Sequence, residues 1–488
     1  MKNCLGIDIG TTAIKAALLR QDGTLGGSWS MEHDLFSPAP GFAEEDPAIW
    51  EDHLFTLLRS AAGELDVSSI AAIGLTGMTP SLIPLDERFR PLYNSIQQND
   101  IRAAAEIEEI KGKIDGPWFF RETGNRVNQQ HIFPKLLWLK RHKTPVFQSM
   151  RYITGSYDYA GYLLTGKLYT ERNWALESGM YSLRGEDWLP EILQLVGLKR
   201  EILPPLISCG CRRGTLSAAA SERSGLGQGI PVYAGTADHI ASGFAAGARK
   251  SGDMVFKLGG AADILLSSAE ALTDPRLFID YGCGEDAPFV INGCTASSGS
   301  ILKWAKEEFG LPDFAAMDKR AEALPPGSGG LIVLPYFLGE KTPIFDTGAR
   351  GRIFGLSLSH GADHIYRAIL EAIAYSLKHH IEIFREMGPP IKRVFITNGG
   401  SKSTLWRQIT ADVTGFDLKY TAGGQGSSAG AALLAGIAAG VMDRELRIND
   451  EEIPVFHDSR RHEQYQRGYA KYRELYERLR GFPLSADL

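Results

Sequence analysis

The chain has 488 residues, too many for one ordinary hydrophobic core, so its length predicts two or three domains. Hydrophobic residues make up 44% of the chain and charged residues 23%, a balance typical of globular proteins. The net charge of −6 argues against the basic field of proteins that bind nucleic acids or anionic membranes.

The sequence also argues against export and membrane insertion. Its first ten residues, MKNCLGIDIG, lack the apolar segment of a signal peptide. The longest smooth apolar stretch, residues 429–442, is too short and too rich in Ala and Gly to span a bilayer, and it predicts a buried helix. We therefore expect a cytoplasmic protein with no nucleic-acid or membrane partner.

The cysteines are few, odd in number and scattered, as is typical of reduced thiols. They are Cys4, Cys209, Cys211, Cys283 and Cys294. Cys209 and Cys211 form a C-x-C pair that could indicate a metal site, but no second pair and no nearby histidine accompany it. We interpret the cysteines as incidental thiols.

Residues 5–19, LGIDIGTTAIKAALL, predict a strand, a Gly-containing turn and a return strand. Asp8 stands inside the apolar run, where a charge is costly to bury unless something pairs with it. One interpretation is that Asp8 holds Mg²⁺ beside a triphosphate, while Gly10, Thr11 and Thr12 face the phosphates. The other is an aspartate that caps its own turn.

Lys15 lies on the predicted return strand, where its ammonium group either neutralises phosphate or is solvated. The sequence contains no P-loop motif, G-x-x-x-x-G-K-[ST], that could bind phosphate instead. The segment GGSKST at 399–404 resembles one, but Ser401 rather than Gly precedes its lysine. The turn that begins at Gly10 is therefore the first candidate for phosphate.

Residues 233–248, YAGTADHIASGFAAGA, predict a short strand followed by a helix of small residues. Asp238 stands at the N-terminal edge of that helix. It is either a helix cap, which is common, or a general base whose carboxylate points into a cleft. The surrounding Gly and Ala leave room for a ligand, and the helix N-terminus would favour an anion beside it.

The strand–turn–strand pattern recurs at 255–266, VFKLGGAADILL. Matching Gly10 to Gly259 gives an offset of 249 residues, about half the chain, which indicates two similar halves. Strand and helix patterns alternate elsewhere, which favours an α/β architecture. We place the boundary in the Gly/Ala-rich segment near 247, so the predicted domains are 1–247 and 248–488.

Two glycine turns in the second half are candidates for holding a nucleotide. Residues 391–415 predict a strand, the turn Gly399–Gly400 and a helix, and residues 423–440 predict a Gly/Ser-rich turn that opens a helix. A nucleotide base and ribose can lie against such backbone. Glycine turns also serve tight packing, so the pattern leaves both interpretations open.

The chain ends in a predicted helix that carries one apolar stripe. Its members are Tyr465, Tyr469, Tyr472, Tyr476 and Leu479. The stripe either packs against the body of the protein, which we favour, or forms a partner-binding surface.

These motifs resemble the FGGY carbohydrate kinases, which share a fold with Hsp70 and actin, and among them the xylulose kinases are most similar. The resemblance runs nearly end to end and preserves the order and spacing of the motifs. They are GIDIGTT at 6–12, GLTGMTP at 74–80, QNDIR at 98–102, DYAGYLLTG at 158–166, AGTADHIASG at 234–243, GEKTPIFDTGARGRIFGL at 339–356 and NGGSKSTLWRQITADVTG at 398–415.

The resemblance implies two actin-like (ribonuclease H-like) ATPase domains around a central cleft. It implies ATP-dependent phosphorylation of a hydroxyl on a sugar or polyol, with Mg²⁺, and relatives often form homodimers. The N-terminal domain would hold the sugar and the first phosphate loop, and the C-terminal domain the nucleotide. The best-matching substrate is a ketopentose such as xylulose; ribulose, erythritol and glycerol-like polyols fit the same chemistry.

The resemblance also implies a role for each matching residue. Asp238 would be the catalytic base and Asp8 the metal-associated carboxylate. The residues implied to hold the phosphates and the nucleotide are Gly10, Thr11, Thr12, Lys15, Gly259, Gly260, Gly299, Lys303, Gly399, Gly400 and Thr404. The residues implied to surround the sugar are Met78, Thr79, Asp100, Arg102, Asp238 and His239.

The chain departs from the xylulose kinases at three of these places. Thr79 stands where they have a histidine that touches the sugar, and Gln98 where they have a tryptophan. Their second phosphate loop reads Gly-Thr-Ser, whereas Gly259 is followed here by Gly260 and Ala261. The first two changes leave the substrate open, and the third removes a hydroxyl donor although backbone amides remain.

Two rival functions are an actin- or Hsp70-like ATPase with a conformational output and a sugar sensor without catalysis. The first would need a peptide-binding domain or polymer contacts, and the sequence after residue 450 predicts only one good helix. Consumption of ATP that depends on added sugar would separate a kinase from both.

Overall fold

The computed structural model describes residues 2–421, 426–448 and 451–482. Its strands are β1 (Asn3–Ile9), β2 (Ala13–Arg20), β3 (Leu25–Glu32), β4 (Glu44–Glu45), β5 (Ile70–Gly77), β6 (Ile83–Leu85), β7 (Ser95–Ile96), β8 (Tyr152–Thr154), β9 (Thr170–Glu171), β10 (Leu206–Ile207), β11 (Arg212–Thr215), β12 (Pro231–Ala237), β13 (Asp253–Leu258), β14 (Ala262–Ser268), β15 (Phe278–Tyr281), β16 (Phe289–Thr295), β17 (Ile332–Leu334), β18 (Arg352–Phe354), β19 (Arg393–Thr397), β20 (Leu418–Thr421) and β21 (Glu452–Val455).

Helices alternate with these strands along most of the chain. They are α1 (Pro47–Glu64), α2 (Ala104–Lys111), α3 (Gly116–Thr123), α4 (Ile132–His142), α5 (Thr144–Ser149), α6 (Ser156–Thr165), α7 (Arg172–Glu177), α8 (Pro190–Val196), α9 (Ala218–Ser224), α10 (Asp238–Ala246), α11 (Gly299–Glu308), α12 (Phe314–Glu322), α13 (Ala362–Met387), α14 (Thr404–Thr414), α15 (Ser427–Ala438) and α16 (Ser459–Leu479). The predicted α/β architecture is confirmed. In the described part of the chain, no helix combines the length and the apolarity needed to cross a membrane.

The first large sheet has six strands in the order β11-β12-β5-β1-β2-β3. Strands β1 and β2 form the predicted antiparallel hairpin, with Asp8 opposite Lys15. Strand β5 lies parallel to β1, and β12 lies parallel to β5. The carboxyl ends of three parallel strands therefore meet at one edge of this sheet.

The second large sheet has seven strands in the order β15-β16-β14-β13-β19-β20-β21. Strands β13 and β14 form the second predicted hairpin, and β19 and β20 continue parallel to β13. Both sheets thus share a hairpin followed by two parallel strands, which is the repeat that the offset of about half the chain indicated.

The chain folds into two compact units that are not continuous in sequence. The first comprises Met1–Gly247, Ile279–Val290 and Gln425–Asp450, and the second comprises Ala248–Phe278, Ile291–Gly424 and Glu451–Leu488. The chain first passes from one unit to the other after Gly247. Two segments after Gly247 nevertheless belong to the first unit, Ile279–Val290 and Gln425–Asp450, and the second of these contains α15.

Helix α15 packs so closely on the first sheet that only glycine fits beneath it. A Cβ atom on Gly6 would lie 1.8 Å from the carbonyl oxygen of Ser428, and one on Gly74 would lie 2.0 Å from that of Ala431. Larger side chains there would force the helix off the sheet. This approach explains why α15 consists largely of Ala and Gly, and the predicted buried helix is confirmed.

In the second unit, the apolar stripe of α16 packs inward. Four of its tyrosines are buried in the same apolar cluster as the centre of α13: Tyr465, Tyr469, Tyr472 and Tyr476. The hydroxyls of Tyr472 and Tyr336 lie 2.8 Å apart and share a hydrogen bond. The stripe is thus a packing surface, as we favoured.

Candidate active site

Asp8 lies within β1, and 6% of its surface is exposed. Its Oδ2 accepts a hydrogen bond from the hydroxyl of Ser427, the first residue of α15. Asp8 is therefore part of a strand, and one of its carboxylate oxygens is used by a residue far away in the sequence. The N-terminal end of α15 places partial positive charge near the carboxylate.

The turn after β1 has the form that the sequence predicts. The Gly10 amide donates to the carbonyl oxygen of Ala13 across 3.1 Å, and Thr12 is exposed. The Thr11 hydroxyl lies 3.4 Å from the sulfur of Met78, at the end of the neighbouring strand. The predicted first phosphate loop and the predicted sugar contact Met78 are therefore adjacent.

Asp238 is the first residue of α10, directly after β12, and Ala237 occupies the capping position. The helix-cap interpretation of Asp238 is therefore wrong. Its side chain is 35% exposed, enough for a ligand to reach.

Asp8 and Asp238 belong to one edge of the first sheet. Asp8 pairs in register with Thr76 on β5, and Thr76 pairs with Thr236 on β12, two residues before Asp238. The Thr76 hydroxyl also donates to the carbonyl oxygen of Thr236 across 2.6 Å. Both carboxylates thus lie near the carboxyl ends of parallel strands, where α/β proteins bind their ligands.

His239 lies beside Asp238 in a group of carboxyl side chains. Its Nε2 is 3.2 Å from Oδ2 of Asp280, and its Nδ1 is 3.5 Å from Oδ1 of Asp238. Glu177 completes the group, because one donor atom from each of Glu177, His239 and Asp280 lies within 4.8 Å of the other two. Burial lowers the pKa of His239, but the hydrogen bonds and negative charges outweigh it and hold that pKa well above its usual value.

The pKa of Glu177 is shifted as well. Burial raises this pKa well above its usual value, and the charge of Asp280 raises it further. Burial thus favours the neutral form of Glu177, and the neighbouring carboxylates favour the cationic form of His239.

Met78 and Thr79 follow β5, and both are buried. The Met78 amide donates to the carbonyl oxygen of Ile9 across 3.0 Å, which fixes this segment against β1. The Thr79 hydroxyl oxygen is buried and has no hydrogen-bond partner among the described residues. An unmet hydroxyl of this kind is available to a bound molecule.

Asp100 and Arg102 form a buried ion pair with each other. The guanidinium of Arg102 bonds both carboxylate oxygens of Asp100, at 2.8 and 2.7 Å, and lies 2.8 Å from Glu44. Asp100 also accepts from the backbone amide of Ala43 at 2.6 Å. These contacts fix both side chains, and their direct contact with sugar stays a prediction.

The second phosphate loop lies in the second unit. The amide of Gly299, the first residue of α11, donates to the carbonyl oxygen of Gly259 across 2.9 Å. A Cβ on Gly299 would lie 2.7 Å from that oxygen, so glycine is required there. A Cβ on Gly260 would meet nothing within 4 Å, so this position faces open space.

The remaining predicted nucleotide residues also belong to the second unit. A Cβ on Gly400 would lie 2.5 Å from the ring of Trp406, whereas one on Gly399 would meet nothing within 4 Å. The side chain of Lys303 is 74% exposed. Thr404 starts α14 and lines a pocket of about 620 Å³. Residues 423–425 of the predicted Gly/Ser-rich turn lie outside the described residues.

The five cysteines are free thiols. The sulfur atoms of Cys209 and Cys283 lie 2.9 Å apart, while Cys211 is exposed. The group of three metal-binding residue types found in the described part of the chain includes no cysteine. The interpretation of incidental thiols therefore stays a prediction.

Sequence reasoning missed four residues around the two aspartates: Asn173, Glu177, Asp280 and Ser427. Ser427 carried a local signal, since it follows a Gly/Ser-rich turn, but nothing in the sequence linked it to Asp8. Asn173, Glu177 and Asp280 stand in segments without a recognisable pattern.

Comparison with known families covers most of the chain. The model of the N-terminal domain of the FGGY family of carbohydrate kinases matches residues 3–245, and that of the C-terminal domain matches residues 265–439. The fold is also that of a solved xylulose kinase from Rhodospirillum rubrum, with a TM-score of 0.91, 38% identity and 99% of each chain covered.

The relatives found by sequence are named for more than one substrate. Xylulose kinase from Bacillus subtilis (strain 168) is 30% identical over 90% of this chain and 89% of its own length. Gluconokinase from the same strain is 27% identical over 91% of this chain and 89% of its own length. The chain therefore aligns over nearly its whole length with kinases that act on different sugars.

Proposed function

The chain belongs to the FGGY family of carbohydrate kinases, and on that premise we propose that it transfers the γ-phosphoryl group of ATP to a hydroxyl of a ketopentose similar to xylulose. One observation carries this proposal. Asp8 and Asp238 lie at the carboxyl ends of parallel strands in one sheet, one beside the first phosphate loop and the other open to a ligand. Xylulose is favoured because relatives of that name align over most of the chain.

Asp238 is the general base of this reaction. Its exposed carboxylate accepts the proton of the sugar hydroxyl as that oxygen attacks the γ-phosphorus, and the bond to the β-phosphate oxygen breaks. Because phosphoryl transfer needs little covalent help, the other residues mainly position the two substrates.

Asp8 is the residue that would hold Mg²⁺. Its oxygen donors suit a hard cation, and Ser427 fixes the carboxylate that would bind it directly or through water. When bound, Mg²⁺ offsets the charge of the phosphate oxygens.

We assign the remaining predicted residues by the compact unit to which they belong. Residues 1–247 supply the sugar site and the first phosphate loop, with Gly10, Thr11, Thr12 and Lys15. Residues 248–488 supply the nucleotide contacts, namely Gly259, Gly260, Gly299, Lys303, Gly399, Gly400 and Thr404. The amino end of α11 beside Gly259 supports this, because a helix N-terminus favours phosphate.

The test of this function is sugar-dependent consumption of ATP by purified protein and by the variant Asp238→Asn. We expect turnover to fall by roughly 10²- to 10⁴-fold in the variant, the usual contribution of a general base, with ATP binding retained. Asp115→Asn, which changes an exposed aspartate at the start of α3, is the matched control. Normal turnover of Asp238→Asn would rule out the assignment of the base.

A second candidate substrate is another ketose or a polyol. Thr79 favours it, because a histidine that touches the sugar in xylulose kinases is absent here and the Thr79 hydroxyl has no partner among the described residues. A panel of xylulose, ribulose, erythritol, glycerol and gluconate in the same assay separates these substrates by kcat/KM.

The homodimer and the cytoplasmic location stay predictions. The mass of the purified chain in solution, measured by light scattering, tests the first. Twice 53.4 kDa is the expected value.

A further inference from the structure

The carboxylate of Asp280 comes from a part of the chain that sequence reasoning did not connect to the site. Asp280 is in β15, within the short segment Ile279–Val290 that belongs to the first unit. Its side chain is 2% exposed, and its Oδ2 lies 3.2 Å from Nε2 of His239. A carboxylate so deeply buried costs free energy unless its charge is matched, and the His239 imidazolium supplies that match.

Asn173 holds the backbone beside Asp280 against the strand that leads to Asp238. Its Oδ1 accepts from the Tyr281 amide at 2.6 Å, and its Nδ2 donates to the Tyr281 carbonyl oxygen at 2.9 Å. The same Nδ2 lies 2.6 Å from the hydroxyl oxygen of Thr236. One fully buried amide therefore fixes Asp280 relative to Asp238.

The ring of His239 stands between the two aspartates. Its Nε2 faces Asp280 and its Nδ1 faces Asp238, so a proton on each nitrogen gives the ring one preferred orientation. Burial and the charge of Asp280 raise the pKa of the third carboxyl group facing the ring, that of Glu177. A ring fixed in this way lies beside the carboxylate of Asp238, the group that accepts the proton in the proposed reaction.

We propose that Asp280 is a positioning residue for phosphoryl transfer, which acts by holding the His239 ring beside Asp238, and that Asn173 fixes the backbone from which it acts. This inference rests on the proposed function, because it assigns a role in the reaction for which Asp238 is the base. The residues that support the base would then include Asp280, which lies about 40 residues after Asp238 in the sequence.

The test is a double-mutant cycle between Asp280 and His239. Asp280→Asn keeps the size of the side chain and removes the charge, so we expect kcat to fall by roughly 10- to 100-fold, as supporting carboxylates behind a histidine do, while KM for ATP stays unchanged. In the His239→Gln background the same substitution should cost almost nothing further, because the ring through which Asp280 acts is gone. Asp286→Asn, an exposed change in the same segment, is the matched control.

A spectroscopic readout makes the test independent of turnover. The ¹⁵N signals of the His239 ring should show protons on both nitrogens at pH 7.5 in the unaltered chain and on one nitrogen in Asp280→Asn. Asp280→Glu should restore part of the lost kcat. A role only in folding predicts instead an equal loss of kcat in both backgrounds together with a lower melting temperature.

The outcomes separate this inference from the proposed function. No sugar-dependent consumption of ATP by the unaltered chain would overturn the function, and the ring signals would still report whether Asp280 holds His239 protonated. A neutral His239 ring in the unaltered chain, or equal effects of Asp280→Asn in the two backgrounds, would overturn the inference. If Asp280→Asn does not fold, the ring signals of the unaltered chain decide.

Discussion

The hydroxyl of Ser427 donates a hydrogen bond to Oδ2 of Asp8, which joins two residues 419 positions apart in the chain. The contact fixes the orientation of a carboxylate that is 6% exposed and lies next to the first phosphate loop. It also places the amino end of α15 beside Asp8, so removal of either partner changes how the carboxylate can meet a cation.

We expect Asp8→Asn to lower kcat by roughly 10²- to 10³-fold, because a neutral amide can no longer hold Mg²⁺ against the phosphates. Ser427→Ala should keep most of kcat and raise the Mg²⁺ concentration at half-maximal rate several-fold, since it frees the carboxylate without removing it. Titration of Mg²⁺ in a sugar-dependent ATPase assay measures both effects. Ser30→Ala, an exposed serine on β3, should behave like the unaltered chain.

Two results would contradict this role of Asp8. One is an unchanged Mg²⁺ dependence in Asp8→Asn. The other is turnover by the unaltered chain that persists when EDTA has removed all divalent cations.

Thr79 supplies the second prediction. Its buried hydroxyl has no partner among the described residues, so Thr79→Val should cost no stability. If the hydroxyl binds sugar, KM for the true substrate should rise by roughly 2- to 13-fold, the net contribution of one hydrogen bond. KM for ATP is the internal control, and an unchanged sugar KM would remove Thr79 from the site.

A further substitution at the same position tests specificity. Thr79→His restores the side chain found in xylulose kinases, and we expect it to raise kcat/KM for xylulose relative to the other ketoses and polyols. An unchanged ranking of substrates would show that this position does not select among them.

The sequence was sufficient to predict what depends on local pattern. Both strand–turn–strand hairpins are present, and so are the strand before Asp238, the helix after it and the buried tyrosine stripe of α16. Each of these elements follows from the spacing of apolar residues and from glycine or capping positions within a few residues.

Contacts between distant segments could not be predicted in this way. No local pattern relates Ser427 to Asp8, or Asp280 to His239, because those pairs arise from packing of the sheets and helices. The ion pair of Asp100 with Arg102 was also missed, because the sequence pattern gave no reason to pair these two residues with each other.

Gly260 supplies the third prediction. A Cβ at this position would meet nothing within 4 Å, so Gly260→Thr should fold normally and return a hydroxyl to the second phosphate loop. We expect KM for ATP to fall several-fold, as one added hydrogen bond to a charged group allows. Gly260→Val has the same shape without the hydroxyl and should leave KM for ATP unchanged or higher. Equal effects of Thr and Val would show that the hydroxyl does not reach phosphate.

The fourth prediction concerns Lys135, a residue of α4. Its side chain is buried, and its ammonium group donates to the carbonyl oxygen of Gln97 across 2.7 Å. Burial lowers the pKa of this ammonium from 10.5 to about 7, which Asp100 partly opposes and Arg102 reinforces. Between pH 7 and pH 10.5 the unfolded chain therefore keeps a proton that the folded chain has released. By linkage, the free energy of unfolding then rises with pH, by up to about 1.4 kcal/mol per pH unit from this group.

Lys135→Met removes that contribution, so between pH 7 and pH 9 the variant should lose about 2 kcal/mol of stability relative to the unaltered chain. The measurement is the urea midpoint of the first unfolding transition at the two pH values. Buried Glu171 and Glu340, each with a pKa raised to about 8 mainly by burial, act in the opposite direction below that pH, but they are present in both proteins and cancel in the difference. Parallel pH dependence in the two proteins would mean that Lys135 is fully protonated in the folded state up to pH 9. In that case the buried ammonium would carry a full charge beside Asp100 and would be held there by the carbonyl oxygens around it.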